Sequence, residues 1–88
     1  MENTTNEQRP LTFGEKAVGL TFNPSNDFDV QTIKELYAQI IDLCDKLRGE
    51  AASKNESGLS EKARLLSVAI TEAQTAQMWA VKGITWKD

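Results

Sequence analysis

The sequence predicts an all-α fold: a short N-terminal helix followed by an antiparallel two-helix hairpin that assembles into a homo-oligomer. Two long segments carry apolar residues at helical spacing, a short polar turn joins them, and their apolar arcs are too wide for one partner helix to cover. A chain of 88 residues builds a small core and usually needs a further source of stability. Self-association is the expected source.

The N-terminal part divides into an arm and a short helix. Residues 1–10, MENTTNEQRP, have one hydrophobic side chain and no periodicity, so a disordered arm is predicted there and one folded domain over residues 11–88. Thr12 and Glu15 fit a capping box, and Gly19 is suited to a left-handed stop. A helix of about two turns, Thr12 to Val18, is expected.

The first long helix is predicted to follow an N-cap at Ser25, Asn26 or Asp27, after the Asn23-Pro24 turn, and to reach about Ala52. Its apolar residues step by three and four. The predicted seam is Val30, Ile33, Tyr37, Ile40, Cys44 and Leu47. Residues 53–58, SKNESG, form a polar turn, and so short a connection makes the two long helices antiparallel neighbours.

The last helix is predicted from about Leu59 to Ile84, and its seam consists mostly of small residues that let helix axes approach closely. That seam is Leu66, Ala69, Ala73, Ala76, Ala80 and Gly83. Between Arg64 and Lys82 the only charged residue is Glu72, and the helix carries an uncharged polar stripe instead: Thr71, Gln74, Thr75 and Gln77. The stripe indicates a subunit contact or a ligand wall, and an ordinary exposed polar face is the alternative.

Composition narrows the class of function. Ten Lys and Arg against thirteen Asp and Glu give a formal charge of −3, so no basic face for a nucleic-acid polymer is expected, although a small anion needs only one or two lysines. With no His and a single Cys44, the usual catalytic bases and zinc ligand sets are missing, and neither an enzyme nor a cofactor is expected. No run approaches the roughly 20 apolar residues of a membrane span.

Three segments carry a resemblance to a known family: TFGEKAVGLTFNPSND, AQIIDLCDKLR and ARLLSVAITEAQTAQMWAVKGITW. Together they resemble the phage anti-CBASS sponges, small helical-hairpin proteins that share their hairpin with Thoeris anti-defence proteins. The similarity covers Leu11 to Trp86. It implies non-enzymatic sequestration of cyclic dinucleotides, and often cyclic trinucleotides, by a homohexamer in the cytoplasm of the infected bacterial host.

The loop before the first long helix suits such a ligand. A cyclic dinucleotide presents two phosphates and two flat bases, which require cationic or amide donors and apolar or aromatic faces. Phe22 is the predicted stacking residue, with Phe13 and Leu20 in reserve, because family members place an aromatic directly after a glycine and here Leu20 follows Gly19. The alternative role for Phe22 is a plug on the end of the hairpin.

Polar groups for the phosphates come from the same loop and the helix after it. Side chains of Thr21, Asn23 and Ser25 can form hydrogen bonds, and the amides of residues 25–27 lie at a helix N-terminus. The resemblance implies Lys34 as the phosphate-binding lysine; without it, Lys34 reads as an ordinary exposed helix residue. Arg64, Thr71 and Gln74 are candidates for a separate cyclic trinucleotide site, or for hydrogen bonds across a subunit interface.

Two other functions compete with the sponge. A structural or adaptor hairpin that binds a protein partner would explain the apolar arcs, but it does not require the loop of glycine, phenylalanine and Asn23-Pro24. An enzyme that degrades cyclic nucleotides needs a metal or a general base. The sequence offers no clustered residues for either.

Overall fold

The computed structural model describes residues 9–55 and 60–88, and within these ranges the chain forms helices and no strand. The helices are α1 (Phe13–Ala17), α2 (Phe28–Ser53) and α3 (Glu61–Thr85). The predicted all-helical hairpin is therefore confirmed. Most of the predicted arm (1–10), the second half of the polar turn and Leu59, the predicted start of the last helix, lie outside the described residues. No helix in the described ranges is both long and apolar enough to cross a membrane.

The capping box at the start of α1 is confirmed. Thr12 Oγ1 accepts a hydrogen bond from the Glu15 amide at 3.1 Å, and Glu15 Oε1 accepts one from the Thr12 amide at 2.9 Å. Thr12 and Val18 are the two caps, so α1 is one residue shorter at each end than predicted. Gly19 follows with φ of 64°, the left-handed conformation that glycine adopts without strain.

Glu15 also receives two hydrogen bonds from the Arg9 guanidinium, at 2.8 and 2.7 Å. These bonds, with the Thr12 amide, lower the pKa of Glu15 from 4.5 to about 2. Because the pKa of Glu15 is lower in the folded state, the ionised carboxylate stabilises the fold at any pH above its unfolded-state pKa of 4.5. This stabilisation is lost as the pH falls toward the folded-state pKa of about 2.

Glu15→Gln is therefore expected to lower the melting temperature at neutral pH. The gap between variant and wild type should shrink below about pH 4.5 and vanish near pH 2. Thermal unfolding followed by circular dichroism across this range measures it. A gap that does not change with pH would show that the carboxylate charge is not the stabilising element.

α1 lies against the middle of α2 because Gly14 permits a close approach. The Gly14 amide donates to Asp42 Oδ1 at 2.7 Å, and a Cβ added at Gly14 would lie 2.1 Å from the Ala38 carbonyl oxygen. This contact fixes the position of the loop that follows α1.

The two long helices run antiparallel, as their end contacts show. Arg48 Nη1, near the end of α2, donates to Ser67 Oγ near the start of α3 at 3.1 Å. At the other end, Val30 and Thr85 line the same cavity. The core between the helices and the segment after α1 consists of Val18, Ala38, Ile41 and Ile70.

The buried faces differ from the predicted seams. On α2 the buried residues are Val30, Lys34, Ala38 and Ile41, whereas Ile40, a predicted seam residue, is 50% exposed. On α3, Ile70 and Gln77 are buried, and the predicted Ala69 and Gly83 are exposed. The seams are correct in part, since Val30 is buried and Tyr37, Cys44 and Ala73 pack against the core. Apolar periodicity did not select Lys34 and Gln77, because both are polar.

The apolar arcs extend well beyond the hairpin contact, as predicted. Many large apolar side chains are more than 40% exposed: Leu36, Ile40, Leu43, Leu65, Val68, Met78, Trp79 and Trp86. A single chain thus leaves both long helices with uncovered apolar surface, which is unusual for a stable monomer.

Candidate ligand-binding site

Lys34 is a buried lysine at the base of the loop that joins α1 to α2. Lys34 is only 5% exposed, so the alternative prediction, an ordinary exposed lysine, is wrong. The Nζ atom donates hydrogen bonds to the Gly19 carbonyl at 3.0 Å and to the Phe22 carbonyl. It lies 5.6 Å from the centre of the Phe22 ring.

The burial and hydrogen bonding of the Lys34 ammonium group favour the binding of an anion. Burial lowers the pKa of its ammonium group, because removing a charge from water disfavours the charged form. An ammonium has three hydrogen-bond donors, and two are directed at the Gly19 and Phe22 carbonyls. The third has no acceptor among residues 9–55 and 60–88, and an acceptor such as a phosphate oxygen would also offset the desolvation.

Phe22 is presented outward by a tight turn. Its amide donates to the Gly19 carbonyl at 2.9 Å, a turn made possible by the positive φ of Gly19. The Phe22 ring is 70% exposed, so within one chain it does not plug the end of the hairpin. An exposed ring beside an ammonium offers an apolar face next to a cation.

The turn between Asn23 and Asp27 is held by its own polar groups. Asn23 Nδ2 donates to the Asp27 carbonyl at 3.0 Å, and Asn23 Oδ1 accepts from the Asp27 amide at 3.3 Å. Ser25 Oγ donates to the same Asn23 oxygen at 3.2 Å. Asn26 takes the left-handed conformation, with φ of 55°, which Asn tolerates better than most residues.

These bonds alter the expected role of the helix N-terminus. The Asn26 amide donates to the Asn23 carbonyl at 2.9 Å, and the Asp27 amide is bonded as described above. The Asp27 carboxylate caps α2 by accepting from the amides of Asp29 and Val30 at 2.7 and 3.2 Å. An anion would meet the bonded Asn26 and Asp27 amides and a carboxylate there, which disfavours the predicted role of these amides.

Two cavities flank Phe22 and Lys34, and we describe them as lobes of one site. The helix-side lobe has a volume of about 280 Å³ and the loop-side lobe about 290 Å³. Each is just below the roughly 300 to 1,000 Å³ typical of a small-molecule site, and they share the walls Phe22, Lys34 and Val81. The helix-side lobe adds Val18, Gly19, Gln77 and Met78; the loop-side lobe adds Asn23, Pro24, Ser25, Val30 and Thr85.

The loop-side lobe brings together four of the six residues predicted for a cyclic dinucleotide: Phe22, Asn23, Ser25 and Lys34. The other two do not line either lobe. Leu20 packs against the core and lines a separate cavity beside Glu15, and Thr21 is exposed. The reserve residue Phe13 lies with its ring 5.2 Å from the Arg48 guanidinium, away from these lobes.

The three residues predicted for a cyclic trinucleotide are each engaged within the chain. Arg64 pairs with Glu61 at 2.7 Å, and Thr71 Oγ1 donates to the Ser67 carbonyl at 3.4 Å. Gln74 Nε2 donates to the Ala17 carbonyl at 3.4 Å, a contact that ties α3 to the end of α1.

Sequence reasoning left Gln77 out of the site. It lies in the wall of the helix-side lobe and is only 6% exposed. The signal was present, because Gln77 belongs to the uncharged polar stripe that indicated a subunit contact or a ligand wall. The sequence pattern placed Ala76 on the buried face of α3, whereas the structure buries the next residue, Gln77.

Comparison of the sequence with protein families gives a match that spans the helices and the loop between them. The Acb2/Tad1 hairpin domain family matches residues 15–85. The chain belongs to the Acb2/Tad1 hairpin domain family. The matched range starts at Glu15 of the capping box and ends with the last residue of α3, so it includes both lobes.

Membership in the Acb2/Tad1 family confirms the resemblance found in the sequence and supports an anti-defence sponge role in general. The Acb2/Tad1 family is one of binding and sequestering proteins. Neither the search of curated proteins nor that of solved structures found a match. Within the part of the chain that the structure describes, no group of three or more Cys, Asp or Glu residues could hold a metal ion.

Proposed function

We propose that this protein sequesters cyclic oligonucleotide second messengers, without cleaving them, and so blocks bacterial CBASS signalling against phage. The ligands proposed are cyclic dinucleotides and, at a separate site, cyclic trinucleotides, bound in the cytoplasm of the infected host. The observation that carries the proposal is the buried ammonium of Lys34, which has two carbonyl acceptors among the described residues, and so a third donor to offer, beside the exposed Phe22.

A cyclic dinucleotide would place its phosphates against the cationic part of the site and its bases against the aromatic part. A phosphate oxygen accepts the third donor of Lys34, and a base stacks on Phe22, while Asn23 and Ser25 offer polar contacts. The two carbonyl bonds hold the ammonium in place before the ligand arrives, which lowers the entropic penalty of binding. Slow release is sufficient for a sponge, because a captured messenger is withheld whether or not it is destroyed.

Native mass spectrometry of the purified protein with a mixture of cyclic di- and trinucleotides tests the proposal. Uptake of intact ligand, recovered after denaturation, would support sequestration. Recovery of linear products would instead indicate an enzyme. If no cyclic nucleotide binds, the sponge proposal fails and the adaptor function takes its place.

Phe22→Ala is expected to weaken cyclic dinucleotide binding roughly 5- to 150-fold, since stacking on an aromatic contributes about 1–3 kcal/mol per base. Phe22→Tyr should preserve most of the affinity because it keeps the ring. Isothermal titration calorimetry measures both. The matched control is Phe28→Ala, which removes another exposed ring, at 80% exposure, outside both lobes; equal losses in the two alanine variants would remove Phe22 from the site.

We further propose that the protein is a homo-oligomer, with a hexamer as the expected assembly. The exposed apolar side chains of α2 and α3 supply the surface for subunit contacts. The same surface is what the alternative function, an adaptor that binds a protein partner, would use. A monomer in sedimentation analysis, with no cyclic nucleotide bound, would favour the adaptor.

The cyclic trinucleotide site is proposed at Arg64, Thr71 and Gln74. Arg64 and Thr71 are exposed on α3 and would have to be completed by a neighbouring subunit. Trinucleotide uptake that survives loss of dinucleotide binding would support a separate site.

A further inference from the structure

We propose that Gln77 reads the edge of a nucleobase in the helix-side lobe and thereby sets which cyclic dinucleotides the site prefers. The inference rests on the proposed function and adds a specificity-determining residue to it. Its starting point is a buried amide whose hydrogen bonding the fold leaves incomplete.

Gln77 is 6% exposed, and its Oε1 atom accepts no hydrogen bond from the described residues. A buried polar atom without a partner destabilises a fold, so such atoms are rare and call for an explanation. The nearby cation does not supply the missing bond, because the hydrogen bonds of Lys34 Nζ go to the Gly19 and Phe22 carbonyls.

The walls of the helix-side lobe are mostly apolar. Apart from Lys34 and Gln77, its walls are Val18, Gly19, Phe22, Met78 and Val81. The loop-side lobe instead carries the polar side chains of Asn23, Ser25 and Thr85. A ribose with its hydroxyls suits the polar lobe, and a base suits the apolar one, where Phe22 offers a face and Gln77 an amide.

The chemistry of the ligand fits the amide. Phosphate oxygens only accept hydrogen bonds, so they pair with Lys34 and not with a carboxamide oxygen. A base edge offers a donor beside an acceptor, which a glutamine carboxamide matches with its own acceptor and donor. Gln77 Oε1 is hidden from solvent, and the terminal torsion of glutamine is broad and roughly two-fold, so rotation about this torsion turns the oxygen toward the lobe without movement of α3.

A base-reading amide has a signature that a purely structural amide lacks. Its loss changes the ratio of affinities among ligands that differ only in their bases. Loss of Lys34 or Phe22 should instead weaken all of them together, because a phosphate and a stacking face are common to every cyclic dinucleotide.

The experiment compares 3′,3′-linked cyclic di-AMP, cyclic di-GMP and cyclic di-UMP by calorimetry on wild type, Gln77→Leu and Lys34→Met. The wild type is expected to discriminate among the three ligands. Gln77→Leu should reduce the ratio of affinities between the tightest and the weakest of the three ligands by roughly 5- to 150-fold. Its affinity for the weakest ligand should stay close to that of the wild type. Gln39→Leu, an exposed glutamine on α2, is the matched control and should leave the ratio unchanged.

Several results would overturn the inference. Equal affinities of the wild type for all three ligands would do so, as would a uniform loss in Gln77→Leu. A fall in the mass of the oligomer with an unchanged ratio would assign the amide to a subunit contact. If Gln77→Leu does not fold, Gln77→Met, which is closer in shape, carries the same test. Failure of the wild type to bind any of the three ligands would instead refute the cyclic dinucleotide part of the proposed function, on which the inference rests.

Discussion

Lys34→Met is expected to lower the affinity for cyclic dinucleotides roughly 30- to 5,000-fold. Removing one partner of a buried, hydrogen-bonded charge pair weakens binding by about 2–5 kcal/mol, since the other charge is left without compensation. Here the uncompensated charge would be a phosphate in a site whose other shared walls, Phe22 and Val81, are apolar. Calorimetry with one cyclic dinucleotide measures the loss.

The control for this variant is Lys46→Met, which removes an exposed lysine from the same helix and the same unit of charge. If both variants lose affinity equally, the effect comes from net charge and not from the site. Thermal unfolding separates a lost donor from a lost fold, because the Gly19 and Phe22 carbonyls also lose a hydrogen bond in Lys34→Met. A folded variant that binds normally would refute the assignment of Lys34.

Gly14→Ala is expected to be the most destabilising small substitution in the chain. The new Cβ would lie 2.1 Å from the Ala38 carbonyl oxygen and 2.9 Å from its carbon, and these backbone atoms move only if α1 separates from α2. Overpacking of this kind typically destabilises by about 1–3 kcal/mol and occasionally more. We expect about 3 kcal/mol, or a fall in melting temperature of about 12 °C or more.

Gly49→Ala provides a control of the opposite sign. A Cβ there meets nothing within 4 Å, and Gly49 lies inside α2, where alanine is favoured over glycine by about 0.5–1 kcal/mol. Gly49→Ala should therefore raise the melting temperature while Gly14→Ala lowers it. Melting temperatures that shift together would show that α1 does not pack on α2 as the structure has it.

Local signals explain the parts of the fold that the sequence predicts well. The capping box of Thr12 and Glu15, the left-handed Gly19 and the cap of α2 at Asp27 each depend on residues only a few positions apart. Such interactions are set by local geometry. For this reason each end of α1 and the C-terminal end of α2 lie within one residue of the prediction, and the N-cap of α2 is one of the three predicted residues. The antiparallel hairpin follows from the short connection.

The buried faces depend on contacts that no local pattern reveals. Lys34 is buried because it bonds carbonyls of a loop that precedes it in the chain, and Gln77, in the second half of α3, lines the same cavity. Apolar periodicity excludes both residues by their type and selects Ile40, which is 50% exposed. Lys34 reached the predicted site through family resemblance alone, and Gln77 did not reach it.

The exposure of Phe22 bears on how this protein can evolve. Because the ring is 70% exposed, a replacement at that position disturbs little buried surface, and surface changes of this kind usually alter stability by no more than about 0.5 kcal/mol. Lys34, in contrast, organises the loop and cannot be exchanged independently. The fold therefore leaves Phe22 open to substitution, while the bonds from Lys34 to the loop carbonyls constrain that position.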